Sequence, residues 1–259
     1  MYDELIRDLD TLKLRYLASH LNDFIASVTK ARTPPLAIIE QIAKRELEEA
    51  KKRSLISRLN TSKVNAKKWR PLADFDWSWP KNIDRAAVER LFELNFLDEP
   101  ANAIFMGPSS LGKTMIARYL FYPAVQKGHQ AIFVEASALL SELEDIDSAR
   151  QLHSRLKYSA RPKLLVIDEI GYLSFSARAG DLLFQVISQR YEKAATIVTT
   201  NVSFKDWGKI FPQAACVSAL LERLLHRAEI ITIEGDSYRM KEDHERSRKA
   251  KGTKSKEPK

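Results

Sequence analysis

Cysteine is almost absent from this 259-residue chain: the single Cys216 excludes an intrachain disulfide framework. The five histidines are scattered with no cysteine beside them, so a zinc site is not expected. No apolar run approaches the ~18 residues of a membrane span. The opening MYDELIRDLD is polar and acidic, unlike a secretory leader. No internal repeat is visible. From Lys241 onward apolar residues nearly vanish, so 241–259 is expected to be a disordered basic tail. These absences argue against secreted, membrane and zinc-stabilised classes and towards a soluble cytoplasmic protein. What is present, 44% hydrophobic residues, is enough for one full core and a smaller module.

The net charge is +8, and its placement is informative. Residues 41–70 carry ten Lys/Arg against three Glu, and 241–259 carry eight against four Asp/Glu, whereas 71–240 are nearly neutral. Basic flanks on a neutral body suit a polyanion, nucleic acid first among them. A solvated helix face and a soluble tail are the plainer alternative.

Residues 1–70 read as a small helical domain for DNA binding or oligomerisation. Leu14, Leu17, Leu21, Phe24 and Val28 recur at steps of three and four. Thr33-Pro34-Pro35 interrupts them, and a second set follows: Leu36, Ile39, Ala43, Leu47. Lys44, Arg45, Glu48, Lys51 and Lys52 lie on its opposite face, and a third segment runs through Leu55 and Leu59. Residues 71–101 form a connector and a helix packing on the core. The connector, PLADFDWSWPKN, reads as extended, with aromatics that pack on a domain. The helix places Val88, Leu91, Phe92 and Phe96 on one face. Residues 102–240 alternate between strands (AIFM, AIFVEA, KLLVID, ATIVTT, EIITI) and helices starting at Lys113, Ser137, Ala179 and Val217. That pattern predicts an α/β domain with a mainly parallel sheet flanked by helices.

The stretch Gly107-Pro108-Ser109-Ser110-Leu111-Gly112-Lys113-Thr114 fits G-x-x-x-x-G-K-[ST] between a strand and a helix. The glycines let the backbone turn its N–H groups towards a phosphate, and the helix start adds its positive dipole end. Lys113 supplies a full charge for the β- and γ-phosphates, and Thr114 offers a hydroxyl to Mg²⁺. KLLVIDEIGYL ends an apolar strand in Asp168-Glu169, which is costly unless a cation or water waits there. Asp168 suits the Mg²⁺ shell, directly or through water, and Glu169 suits general-base activation of water. TIVTTN ends in Thr199-Thr200-Asn201, at the strand end where ligands of parallel sheets sit. Asn201 is the first choice for holding the lytic water and Thr200 the fallback. A turn-forming Asn is an equally good reading. In LLERLLHRAEI, Arg223 and Arg227 stand at i, i+4, one helix face. A trans-acting arginine belongs to this chemistry, although surface arginines beside Glu222 are the better reading of the residues alone.

These stretches, with FDWSWP, LLFQVISQRYE, TTNVSFKDW, LLERLLHRAEII and GDSYRM, resemble the IstB-like transposition helper ATPases of bacterial insertion sequences. These are AAA+ proteins of the helicase-loader clade. The resemblance covers all but the tail. It implies a P-loop AAA+ core behind an all-helical N-terminal domain; the separate C-terminal helical lid of many AAA+ proteins is not expected, because only a tail follows Met240. It implies that Lys113 and Thr114 serve phosphate and metal, and that Asp168 and Glu169 form the second acidic motif. Asn201 matches the polar sensor, and Arg227, with Arg223 beside it, matches the finger stretch. The activity implied is an ATPase that assembles into a homo-oligomer on duplex DNA, remodels it and recruits a transposase. The duplex contacts are expected at Lys51, Lys52, Lys67 and Lys68. The rivals are a replicative helicase loader and a nucleotide-gated DNA scaffold with little hydrolysis. One departure stands out: the family pattern GPxGxGKT usually has glycine where this chain has Ser110.

Overall fold

The computed structural model describes residues 2–61 and 75–238. The chain divides into two compact units, residues 1–58 and 59–259. No helix among the described residues is long and apolar enough to cross a membrane.

In the first unit, α1 (Asp3–Thr11), α2 (Arg15–Lys30) and α3 (Pro35–Thr61) follow in order. Leu9, Leu17, Ala18 and Leu21 form a small core, with Ile6, Leu14, Phe24, Ile25 and Ile42 packed around it. The α2 face lies where its periodicity puts it. The α3 face does not. Leu36, Ile39 and Leu47 are exposed, and Ile42 and buried Glu46 face the core instead. The cause is a helix end. The residue before α2, Leu14, has no side-chain acceptor for the first-turn N–H groups. Glu46 Oε1 fills that role, accepting from the Leu17 N–H at 2.7 Å, and so sets the rotation of α3. The segments read as separate at Leu47 and Leu55 are one continuous helix.

The second unit holds a five-stranded, wholly parallel sheet in the order β2-β3-β4-β1-β5. Its strands are β1 (Asn102–Met106), β2 (Ala131–Glu135), β3 (Leu164–Ile170), β4 (Ala195–Thr200) and β5 (Ala228–Thr232). The helices are α4 (Arg85–Phe92), α5 (Lys113–Gln126), α6 (Ala136–Glu144), α7 (Ala149–Ala160), α8 (Ala177–Arg190), α9 (Trp207–Ile210) and α10 (Val217–Leu225). Side chains alternate along each strand, so the sheet buries two faces. Ile104, Val134, Leu165, Ile167 and Val198 join one cluster with residues of α6, α8 and α10. The alternate residues face the other way; Phe133 meets Phe121 of α5 edge-on.

Three elements differ from the sequence pattern. The run from Ser137 is two helices, because Ser148 caps a new start at α7. The helix after the connector, capped by Asp84, stops at Phe92 because Leu94 turns left-handed (φ 66°); Phe96 then sits in a 3-10 turn. From Phe75 on, the connector bends rather than extends, with Trp79 N–H donating to Asp76 O at 3.2 Å.

Candidate nucleotide site

The C-terminal ends of β1, β3 and β4 lie side by side, the edge at which parallel sheets bind ligands. A cavity of about 500 Å³ opens there. One wall is the loop from Gly107 to Gly112 and the start of α5. The loop needs its glycines for space. A Cβ on Gly107 would lie 2.1 Å from the Ile233 carbonyl oxygen, and one on Gly112, at φ 86°, 2.6 Å from the Phe75 ring. Ser110 adopts φ 65°, the left-handed conformation that glycine takes without strain. The serine therefore keeps a glycine-type loop geometry.

Lys113 is buried, its Nζ donating to Gly107 O at 2.7 Å and Pro108 O at 2.6 Å. Burial pulls its pKa down, and the nearby Asp168 and Glu169 partly offset this. Thr114 Oγ1 donates to Asp168 Oδ1 at 2.9 Å, across 54 positions of sequence. Asp168 is 2% exposed; burial raises its pKa, opposed by hydrogen bonds from Thr199 and Thr114. Glu169 is exposed on the cavity wall at φ 63°. Asn201 is an exposed lining residue. Thr200 also lines the cavity, with its hydroxyl engaged by the backbone of Val202.

A cation fits this donor set. The hydroxyl of Thr114 and the carboxylate of Asp168 are the hard oxygen ligands that Mg²⁺ selects. Among the described residues no three His, Cys, Asp or Glu converge, so phosphate oxygens and water would complete its shell.

The opposite wall was not legible in the sequence. Phe75, Trp79 and Tyr238 line the cavity, joined by Arg118 and by Tyr172, which is 70% exposed. Trp79 and Tyr238 meet edge-on at 5.6 Å, and Trp79 Nε1 donates to Asp236 O at 2.8 Å. Asn82 and Glu234 form an antiparallel bridge, and Lys81 pairs with Asp236 at 3.0 Å. The connector and the segment after β5 are thus zipped together and tied to the loop, where Tyr238 N–H donates to Ser110 O at 3.1 Å. The aromatic density of FDWSWP signalled packing, but nothing in it specified the cavity.

The arginines differ from expectation. Arg223 and Arg227 do not share a helix face, because α10 ends at Leu225. The chain must turn into β5 there. His226 is extended, Arg227 has φ 52°, and Asn102 secures the corner by bonding Leu224 O and Arg227 O. Arg223 lies over the Phe184 ring at 4.5 Å and donates to Ser188 Oγ. Arg227 is exposed, and neither arginine lines the cavity. Lys51 and Lys52 are exposed on α3, Lys52 pairing with Glu49 at 2.7 Å; Lys67 and Lys68 lie outside the described residues.

A glycine loop feeding a helix, with β4 standing between the loop strand β1 and the strand β3 that ends in paired acidic residues, is the arrangement of a P-loop nucleotide-binding domain. Residues 7–246 match the family described as IstB-like ATP binding protein, and the chain belongs to that family. It is 33% identical to an ATP-binding protein of insertion sequence IS232 from Bacillus thuringiensis subsp. berliner, over 94% of this chain and 96% of the relative. It is 34% identical to one of insertion sequence IS5376 from Geobacillus stearothermophilus, over 80% and 81%. The fold resembles solved DnaI (TM-score 0.52, 19% identity, 64% of this chain and 89% of that one). It also resembles a DNA replication initiation factor (TM-score 0.54, 18% identity, 72% and 56%).

Proposed function

We propose that this chain hydrolyses ATP at the loop–β3–β4 cavity and uses the nucleotide to assemble on duplex DNA for a transposase. The observation that carries the hydrolytic reading is the Thr114–Asp168 hydrogen bond with Glu169 beside it on the cavity wall.

In this reading the loop N–H groups and the α5 terminus hold the phosphates, and Lys113 adds the charge they need. Thr114 and Asp168 hold Mg²⁺, which would neutralise developing charge on the phosphate oxygens. Glu169 takes the proton of the attacking water, and Asn201 orients that water. The aromatic wall of Trp79 and Tyr238 offers faces for a purine ring. Arg227 would serve a neighbouring subunit's site, a reading that its exposure outside its own cavity supports, whereas Arg223 is held within its own chain. Assembly, DNA binding through the phosphates at Lys51, Lys52, Lys67 and Lys68, and transposase recruitment in the cytoplasm complete the reading. The insertion-sequence names of the relatives support the transposase as partner.

Glu169→Gln is the test. It removes the base and leaves Asp168 in place, so ATP binding and assembly should persist while steady-state phosphate release falls roughly 10²- to 10⁴-fold. Near-wild-type turnover would sink the base assignment. If the wild type itself shows no multiple turnover, the scaffold reading replaces the ATPase. A preference for single strands over duplex would favour a helicase loader.

A further inference from the structure

Thr199 belongs to none of the roles above, yet it joins the two acidic residues. It is the last residue but one of a fully buried strand and is 0% exposed. Strand alternation turns it towards α5, on the sheet face of Asp168 and Thr114. Regular pairing of β3 with β4 runs to Ile167 opposite Val198 and resumes only at Ile170 opposite Thr200. Asp168 and Glu169 therefore stand against the single residue Thr199, a bulge of the kind that re-aims side chains. At the bulge Glu169 takes φ 63°, a conformation an ordinary residue keeps only when its surroundings enforce it.

The enforcing group is the Thr199 hydroxyl. It accepts from the Glu169 N–H at 2.8 Å and donates to Asp168 Oδ1 at 2.5 Å. Asp168 Oδ1 thus receives two hydroxyls, from Thr199 and Thr114, and its orientation is set from both sides. Asp168 Oδ2 makes no hydrogen bond to any described residue and remains available for a cation or its water. A single hydroxyl, acting as acceptor and donor at once, so fixes the backbone turn that projects one carboxylate and the orientation of the other.

We propose that Thr199 is the positioning residue of this site, coupling the Asp168 carboxylate to the Glu169 turn and thereby controlling Mg²⁺-dependent nucleotide binding and turnover. The inference rests on the proposed roles of Asp168 and Glu169. Groups that orient metal ligands typically change metal affinity or activity by about 10- to 100-fold when removed.

The test compares Thr199→Val, which keeps the shape and loses both hydrogen bonds, with Thr199→Ser, which keeps the hydroxyl. A fluorescent ATP analogue is titrated at increasing Mg²⁺, with phosphate release and thermal melting measured alongside. Thr199→Val should bind the analogue normally in EDTA. Its half-saturating Mg²⁺ should rise by about 10- to 100-fold and its turnover should fall comparably. Thr199→Ser should recover both to within a few-fold. Wild-type Mg²⁺ dependence in a folded Thr199→Val overturns the inference. So does a folded Thr199→Ser that fails on both readouts, which would make the methyl group the essential part. That second comparison decides the matter even where Thr199→Val does not fold. Asp168→Asn separates the two levels. If it binds with unaltered Mg²⁺ dependence, the metal role itself fails and the Thr199 inference with it. If Asp168→Asn is impaired and Thr199→Val is not, only the Thr199 inference fails.

Discussion

Lys113 and Gly107 are joined by a hydrogen bond from the ammonium Nζ to the glycine carbonyl at 2.7 Å. A second bond, to Pro108 O, holds the same ammonium, so the loop positions its own cation with little freedom left to lose on meeting an anion. Lys113→Ala removes the loop's full charge. A hydrogen bond to a charged group is worth roughly 1.5–3 kcal/mol, so affinity for a fluorescent ATP analogue should fall at least 10- to 150-fold. DNA-bound assembly should be lost with it, and an unchanged dissociation constant would refute the role. The pH dependence has two opposite signs. Burial lowers the native pKa of Lys113, so the charge is lost at a lower alkaline pH than in an exposed lysine. Nucleotide affinity should decline as pH rises through that lowered value. The folded state binds fewer protons than the unfolded chain in the same window, so stability should rise with pH there.

Ser110 gives the second prediction. Its φ of 65° costs a residue with a Cβ roughly 1–2 kcal/mol that glycine does not bear. Glycine also makes the unfolded chain more flexible, by roughly 0.5–1 kcal/mol, so the net gain is small. Ser110→Gly should keep or slightly raise the melting temperature and leave nucleotide affinity intact. Ser110→Val, branched at Cβ, should lower both. Melting curves and analogue titrations of the pair check this. Weaker binding for glycine than for valine would show that the serine hydroxyl, not the backbone, matters.

The sheet and its phosphate loop were readable because each strand is a short apolar run and each helix an independent periodic segment. The loop is a local pattern whose residues are neighbours in the chain. What could not be read lies in contacts between distant segments. Arg190, near the end of α8, is 1% exposed and donates to Ala160 O, Pro162 O, Ala195 O and Thr196 Oγ1. Burial lowers its pKa to about 9, and the four acceptors satisfy the charge without any carboxylate. Three of them are backbone atoms, which leave no mark in a sequence. The burial of Glu46 leaves no mark for the same reason: its partner is the Leu17 N–H. In the sequence Thr199 is only part of a polar strand end, since its importance depends on the bulge opposite.

Arg227→Ala should act in trans. The residue is exposed at a turn and is anchored there through its carbonyl, which accepts from the Asn102 N–H. Removal of the side chain should therefore leave the fold and its own cavity intact. Hydrolysis should nevertheless drop, because the neighbour's γ-phosphate loses a counter-charge; such arginines contribute about 10³- to 10⁵-fold. Mixing Arg227→Ala with Lys113→Ala subunits should restore part of the activity, since one mixed interface retains both parts. A mixture that never exceeds the sum of the separate mutants would refute the trans placement, and Arg223→Ala would then be tested the same way.

The basic flanks give the last prediction, which sets residues 41–70 against 241–259. The first stretch carries the larger excess of charge, and α3 covers it as far as Thr61. A helical array meets several phosphates at once with little further entropy lost on binding. Lys52 is partly neutralised by Glu49, but the lysine is 66% exposed and such a surface pair is worth little, so a phosphate can replace the carboxylate. Charge reversal at Lys51, Lys52, Lys67 and Lys68 should therefore weaken duplex binding strongly. For every phosphate that the variant no longer neutralises, the log–log salt dependence should also flatten by about one unit. Deleting 241–259 should weaken binding only mildly. Affinity against salt, measured for both variants with ATP present, distinguishes the two surfaces. If the deletion abolishes binding while the reversals leave the slope unchanged, the N-terminal helices do not carry the DNA. They would then be a docking surface for a second subunit or for the transposase.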